Sequence, residues 1–403
     1  MILLLAVGIF LTLFSGFFPF RKAGFIIKST FGGISGNKKA FSAAATALGA
    51  TVGTGNIIGV SAAISIGGAG AVFWMWVGAF FGMMLKFAEA ALAVKYKGGA
   101  NIYIEKAFGG RTFSVLWCIC CVLASFGGGN MIQSNAAGDI FEKALGISPL
   151  IIGAAICAVT AFVLFRGADF ITKASSFLVP LMAVIYILGC FAVLFIFREN
   201  IIPAFSEIFS SAFEPLSAGG GIAGILLSES LRAGLSKGSF THEAGMGSAS
   251  LAHAESGEKS PLRQGCWGIA EVFIDTVLVC SLTALVILSV PGAGSAEEAF
   301  HSVFGLYGDI FLCVSMFLFA LAAVFGWAFY GEKALLHITK SKKAAFFYRT
   351  IFCFAAIFGT AIEIPVIWSI TDIFNGLMIF PNLAAIMVLT PKVFEIAKEN
   401  PAS

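Results

Sequence analysis

The stretch "TALGATVGTGNIIGVSAAI", Thr46 to Ile64, sets Gly53-Thr54-Gly55-Asn56 in the middle of an otherwise apolar, helix-like run. Two glycines and an asparagine in four residues weaken a helix, so the surroundings decide what the interruption is for. The chain has 403 residues, of which 59% are hydrophobic and 12% charged, with a mean hydropathy of +0.95. That is more apolar side chain than one soluble core of this size can hide, and the apolar runs reach membrane-spanning length. The composition defines an all-α polytopic membrane protein. A formal net charge of +3, spread along the chain, forms no basic domain and argues against a nucleic-acid partner. The nine cysteines lie in apolar segments at irregular spacing, which reads as reduced core packing. The opening "MILLLAVGIFLTLFSGFFPFRK" lacks a basic leader region and a small-residue cleavage site, so it is expected to stay as a helix.

Working outward, apolar windows bounded by charges and Gly/Pro clusters predict eleven spans: 2–20, 42–66, 71–95, 113–138, 148–165, 174–197, 215–235, 265–290, 309–335, 345–362 and 364–390. With the N-terminus outside and the C-terminus inside, the inner loops collect twenty-two of the Lys and Arg residues. The outer loops keep Lys143 and Arg198, and Lys86 lies inside a span. This positive-inside bias supports both the count and the orientation. The hydrophilic stretches at about 198–214 and 236–264 are expected as connections, leaving one membrane domain over 1–403.

In hydrocarbon an unpaired backbone group costs several kcal/mol, so broken helices at membrane depth survive where protein or a wet cavity satisfies them. Such breaks mark binding sites in transporters: amides of the second half suit a carboxylate, and carbonyls of the first half suit a cation. Close helix packing through small residues is an equal alternative for one glycine pair. A second glycine run, Gly219-Gly220-Gly221 with Gly224, opens another apolar segment five spans later. Without the first helix, the interrupted segments are first and sixth of ten, the places a five-plus-five inverted repeat gives its broken helices. The halves would be 42–197 and 215–390, with 2–20 as an extra helix.

Other polar residues at depth carry two readings each. Asn130, Gln133 and Asn135 either meet a ligand or bond helix to helix; Gln133 both donates and accepts, as a zwitterionic ligand requires. Lys86 and Glu89, three apart on one face, are expected to form an internal ion pair. Asp275 lies within a span as a functional candidate or as a partner for a neighbouring helix. Trp327, beside Gly326, either walls a small pocket or packs. The four histidines show no metal spacing, no Gly-x-Ser-x-Gly elbow is present, and His242-Glu243 is expected in a cytoplasmic loop. An enzyme is not expected, nor a cofactor.

The motifs "TVGTGNIIGVSAAISIGGAGAVFWMW", "KFAEAALAVKY", "GGGNMIQSN", "EAGMGSA", "FIDTVLVCSLTALVIL", "GWAFYGE" and "DIFNGLMIFPNL" resemble the alanine or glycine:cation symporter family, within the LeuT-like transporters. The resemblance runs from about Ala43 to Pro391. It implies a LeuT-like five-plus-five repeat behind one extra helix. It also implies a prokaryotic plasma-membrane carrier that imports small neutral amino acids, alanine or glycine, with a cation, usually sodium. Carried over residue by residue, Thr51, Gly53, Thr54, Gly55 and Asn56 would hold the amino acid; Gln133 and Trp327 would line the pocket, opposite Gly220, Gly221 and Ile222. Ala50, Gly53, Ala322 and Ala323 would surround the cation. At Ala322 and Ala323 the family usually carries Ser and Thr, so two side-chain oxygens are missing, and proton coupling or facilitated passage is the alternative to sodium. Lys173 could bring a positive charge near that site. A sensor or a channel on the same fold is more remote, because no signalling domain and no continuous polar stripe appear.

Overall fold

The computed structural model describes residues 2–33, 37–217, 221–362 and 364–399. Among these there is no strand, and six helices are long and apolar enough to cross a membrane: Gly70–Tyr96, Thr112–Leu145, Ala168–Ile196, Pro261–Ser289, Leu306–Thr339 and Val366–Lys398. A seventh crossing is made by Lys38–Thr51 and Gly55–Gly67, which meet at a 50° bend. Shorter helices, Ile2–Phe14, Pro149–Leu164, Gly221–His242 and Lys342–Gly359, fall on the remaining expected spans.

Burial sorts these helices into centre and rim. The apolar window of Gly70–Tyr96 is 78% buried, whereas that of Ala168–Ile196 is 33% buried. The latter leaves Phe177, Val184, Leu188, Phe191 and Phe195 on an outward apolar face, as a helix against lipid requires. At the centre, glycines let backbones touch, which is the packing available where lipid is as apolar as the core. A Cβ on Gly268 would stand 2.5 Å from the Lys86 carbonyl oxygen, one on Gly326 2.5 Å from Ala50 Cβ, and one on Gly234 2.2 Å from the Ala71 carbonyl oxygen.

The first interruption falls where the sequence puts it. The helix ends at Thr51, Val52 turns to ψ 90°, and a π-turn over Gly55–Gly59 restarts it. The second expected interruption falls largely outside the described residues, and a further break lies beyond it. Of the glycine run, Gly219 and Gly220 lie outside the described residues, and a continuous helix, Gly221–His242, follows them. It stops at Glu243, whose φ is +52°, and the chain passes through Gly245 and Gly247, both at positive φ, into a short helix, Ser250–His253. Residues 241–250 are all buried. Of the expected connection at 236–264, residues 236–242 therefore continue the helix and 243–249 form an unwound segment enclosed by other helices. His242 is 1% exposed and Glu243 4% exposed. A left-handed glutamate costs of order 1–3 kcal/mol and persists only where packing enforces it.

Candidate functional site

The two breaks face one another: a Cβ on Gly55 would stand 3.2 Å from the Phe240 ring and 3.6 Å from Thr241 Cγ2. Between them is a small cavity lined by Ala50, Thr51, Gly53, Gly55, Gln133 and Trp327, which the sequence nominates, and by Gly128, Phe240, Thr241, Glu243 and Asn375, which it does not. Its free volume is about 10 Å³, room for about one water molecule. Anything larger enters only if the walls move.

The Thr54 and Asn56 side chains and two amides of the kink are paired within the protein. The Gly53 amide donates to Asn56 Oδ1 at 2.9 Å, and Asn56 Nδ2 donates to Asp275 Oδ1 at 2.7 Å and to the Asp275 carbonyl at 3.2 Å. Asp275 Oδ2 also accepts from Thr276 Oγ1 at 2.8 Å. Asn56 and Asp275 therefore brace the break from behind, and neither lines the cavity. The Thr54 amide and Oγ1 both donate to Gln133 Oε1, at 3.0 and 2.8 Å, while Gln133 Nε2 donates to the Gly128 carbonyl at 3.0 Å. A side chain at Gly53 would meet Gln133 Oε1 at 2.8 Å. Glycine is required there by that approach. Of the three amides on one helix, Gln133 alone reaches the kink: Asn130 donates to the Phe352 carbonyl and Asn135 to those of Gly359 and Ile362. For those two, the helix-to-helix reading holds.

Diversion of the Gly53 and Thr54 amides to side chains leaves the carbonyls of Gly49 and Ala50 without the amides that would have closed the next helical turn. This stretch of the broken helix packs against Ala322 and Ala323. Ala322 Cβ lies 3.7 Å from a Cβ built on Gly49, and Ala323 Cβ 3.2 Å from one on Gly53. Lys173 is exposed, and the residue of its helix that packs on Gly49 is Val179, whose Cγ2 would stand 2.8 Å from the added Cβ. That helix thus offers the region a methyl group, not an ammonium. Ser175, one turn before Val179 on the same face, brings a fully buried hydroxyl with no side-chain or backbone partner among the described residues. Gly220 lies outside the described residues; Gly221 and Ile222 begin the helix that ends at His242, a helix length away from the second break.

Opposite the kink stands a group the sequence reading placed in a loop. Glu243 Oε1 accepts from Trp327 Nε1 at 2.9 Å and Oε2 from Ser248 Oγ at 2.7 Å. The approach of Trp327 rests on Gly129, where a Cβ would lie 2.2 Å from Trp327 Cγ. The expected Lys86–Glu89 ion pair is not formed as a direct contact. Glu89 Oε1 accepts from the Gly245 and Gly247 amides, both at 2.9 Å, and from Asn382 Nδ2 at 2.8 Å, while Lys86 Nζ has no hydrogen-bond partner among the described residues.

A bundle of apolar helices with two facing interruptions around a closed polar pocket defines a secondary transporter rather than an enzyme. Solved structures share this fold: MhsT in complex with L-phenylalanine superposes with a TM-score of 0.67 at 17% identity, over 89% of this chain and 92% of that one. The family model for the sodium:alanine symporter family matches residues 1–401, and the chain belongs to that family. It is 37% identical to the sodium/alanine symporter AgcS of Methanococcus maripaludis, over 99% of this chain and 93% of the relative. It is 33% identical to the probable sodium/glutamine symporter GlnT of Bacillus subtilis, over 99% and 87%.

Proposed function

We propose that this protein imports a small neutral amino acid, alanine or glycine first, together with sodium, by alternating access across a prokaryotic plasma membrane. One observation carries the reading: the cavity has Gln133, whose Oε1 accepts from the amide and the hydroxyl of Thr54 just behind the wall, on one side and the carboxylate of Glu243 on the other. Gln133 Oε1 stands where a substrate carboxylate oxygen would accept both Thr54 hydrogens. Glu243 faces the place of the substrate ammonium. Asn375 Oδ1, also on the cavity wall and without a hydrogen-bond partner among the described residues, is a second acceptor for that ammonium. Trp327 and Phe240 over a floor of Gly53, Gly55 and Gly128 leave room for a short side chain.

Entry requires Gln133 to release Thr54 and the aromatic walls to part. The facing breaks support reading 42–197 and 215–390 as two repeats that rock about the pocket, with 2–20 outside the repeat pair. The Lys- and Arg-rich loops support an outer N-terminus and an inner C-terminus. Sodium would lie among the carbonyls of Gly49 and Ala50, beside Ala322 and Ala323, with the Ser175 hydroxyl at the adjoining turn. Sodium as a hard cation prefers oxygen, so this site is oxygen-poor on its alanine side.

Two measurements test these assignments. Competition against radiolabelled alanine on the purified protein should show displacement by glycine and little by glutamine; glutamine competing as well as glycine would refute the small pocket. Replacing Ala322→Ser together with Ala323→Thr adds two oxygens. It should lower the sodium concentration that half-saturates uptake by about three- to tenfold, since ligand number tunes the affinity of hard cations. An unchanged sodium dependence would move the ion away from these residues.

A further inference from the structure

Lys86 is fully buried in the middle of Gly70–Tyr96, and its ammonium has no hydrogen-bond partner among the described residues. An uncompensated ammonium at such depth costs several kcal/mol, so surrounding charge must offset it. Its helix packs on the unwound segment: a Cβ on Gly82, one turn before Lys86, would stand 3.1 Å from His242 Cε1 and 3.3 Å from Ala244 Cβ, and Glu89 lies three residues further on the same helix. The charged and titratable groups within electrostatic reach are Glu89, His242, Glu243 in the unwound segment and Asp275 in the π-turn Phe273–Cys280. Tyr330, on Leu306–Thr339, lies within electrostatic reach of Glu243 and Glu89, and its hydroxyl has no hydrogen-bond partner among the described residues. Glu271 on the adjoining helix is already engaged, with Oε1 2.9 Å from His253 Nε2. Asp275 is held by Asn56 and Thr276. Lys86 lies within electrostatic reach of two carboxylates, Glu89 and Glu243, and is hydrogen-bonded to neither.

Those carboxylates have different duties. Glu243 lines the cavity; Glu89 Oε1 holds the Gly245 and Gly247 amides, while Glu89 Oε2 has no hydrogen-bond partner among the described residues. We propose that Lys86 is the internal counter-ion of the transport cycle: its ammonium balances Glu243 while the pocket is empty and is displaced toward Glu89 when the substrate ammonium arrives. This rests on Glu243 receiving that ammonium. No proton changes hands; one tethered cation and one mobile cation compete for a single carboxylate. Moved toward Glu89, Lys86 draws that carboxylate's charge away from the Gly245 and Gly247 amides, which links pocket occupancy to the unwound segment. Without Lys86, a loaded pocket remains neutral at Glu243, but an empty one carries a bare buried carboxylate, so the empty return stalls.

The test separates exchange from net uptake in proteoliposomes. For Lys86→Met, alanine exchange with alanine on both sides should stay within about threefold of wild type. Net uptake into alanine-free vesicles should fall by about tenfold or more, the scale of a coupling free energy between two sites. Exchange and net uptake falling together, or neither falling, overturns the proposal. If Lys86→Met does not reconstitute, Lys86→Gln, which keeps length and polarity but not charge, carries the same expectations. Failure of exchange in the wild-type protein would instead refute the pocket itself.

Discussion

Glu243→Gln should weaken alanine binding by about 10- to 100-fold, the worth of a hydrogen bond to a charged group at 1.5–3 kcal/mol. Glutamine keeps the length of the side chain, and its Oε1 can still accept from Trp327 Nε1, so the wall of the pocket survives. What disappears is the negative charge facing the substrate ammonium. Equilibrium binding of radiolabelled alanine to purified protein reads the loss, and a melting curve in detergent shows whether the fold is kept. Affinity within twofold of wild type would remove Glu243 from the site. The consequence for the cycle is separate: with Glu243 neutral, Lys86 has only Glu89 to balance it among the two carboxylates it serves.

A comparable loss is expected from Gly129→Ala, a single added methyl. The new Cβ would stand 2.2 Å from Trp327 Cγ, 2.3 Å from its Cβ and 2.7 Å from its Cδ2. These atoms belong to the stem of the side chain, which cannot swing aside without moving the helix. Overpacking of this kind costs about 1–3 kcal/mol. The strain is relieved by displacing the indole, which breaks the 2.9 Å bond from Nε1 to Glu243 and fills the pocket. Alanine uptake should fall by at least about tenfold, the equivalent of 1.4 kcal/mol. Gly59→Ala is the control, because a Cβ there meets nothing within 4 Å. Equal uptake by the two variants would show that Trp327 does not shape the site.

Much of the membrane architecture is written in one-dimensional signals. Apolar runs and the distribution of Lys and Arg give the spans because hydropathy is local to each helix. Gly53-Thr54-Gly55-Asn56 is legible as a candidate break because two glycines and an asparagine within four residues weaken a helix, although close packing is an equal reading from the sequence alone. The second break was hidden for a physical reason. "THEAGMGSASLAH" contains two histidines and a glutamate, and a hydropathy window treats polar residues enclosed by other helices like polar residues in water. The positive-φ glycines that open the chain there, Gly245 and Gly247, sit in that polar stretch and not in an apolar run. Their pairing with Glu89, some 156 and 158 residues away, is a tertiary fact. So is the sorting of Asn130, Gln133 and Asn135, identical in promise along the sequence and separated only by which helix each one faces. Asn56 and Asp275 show the same limit from the other side. Both were legible as polar groups at depth, yet their bond at 2.7 Å makes them mutual partners behind the cavity.

The most direct test of the central claim is uptake of radiolabelled alanine by proteoliposomes under an inward sodium gradient, an inward proton gradient, or neither. Accumulation above equilibrium under the sodium gradient alone is the result expected if the carbonyls of Gly49 and Ala50 suffice for the ion despite Ala322 and Ala323. Accumulation driven by the proton gradient alone, or simple equilibration under all three conditions, would contradict sodium-coupled import.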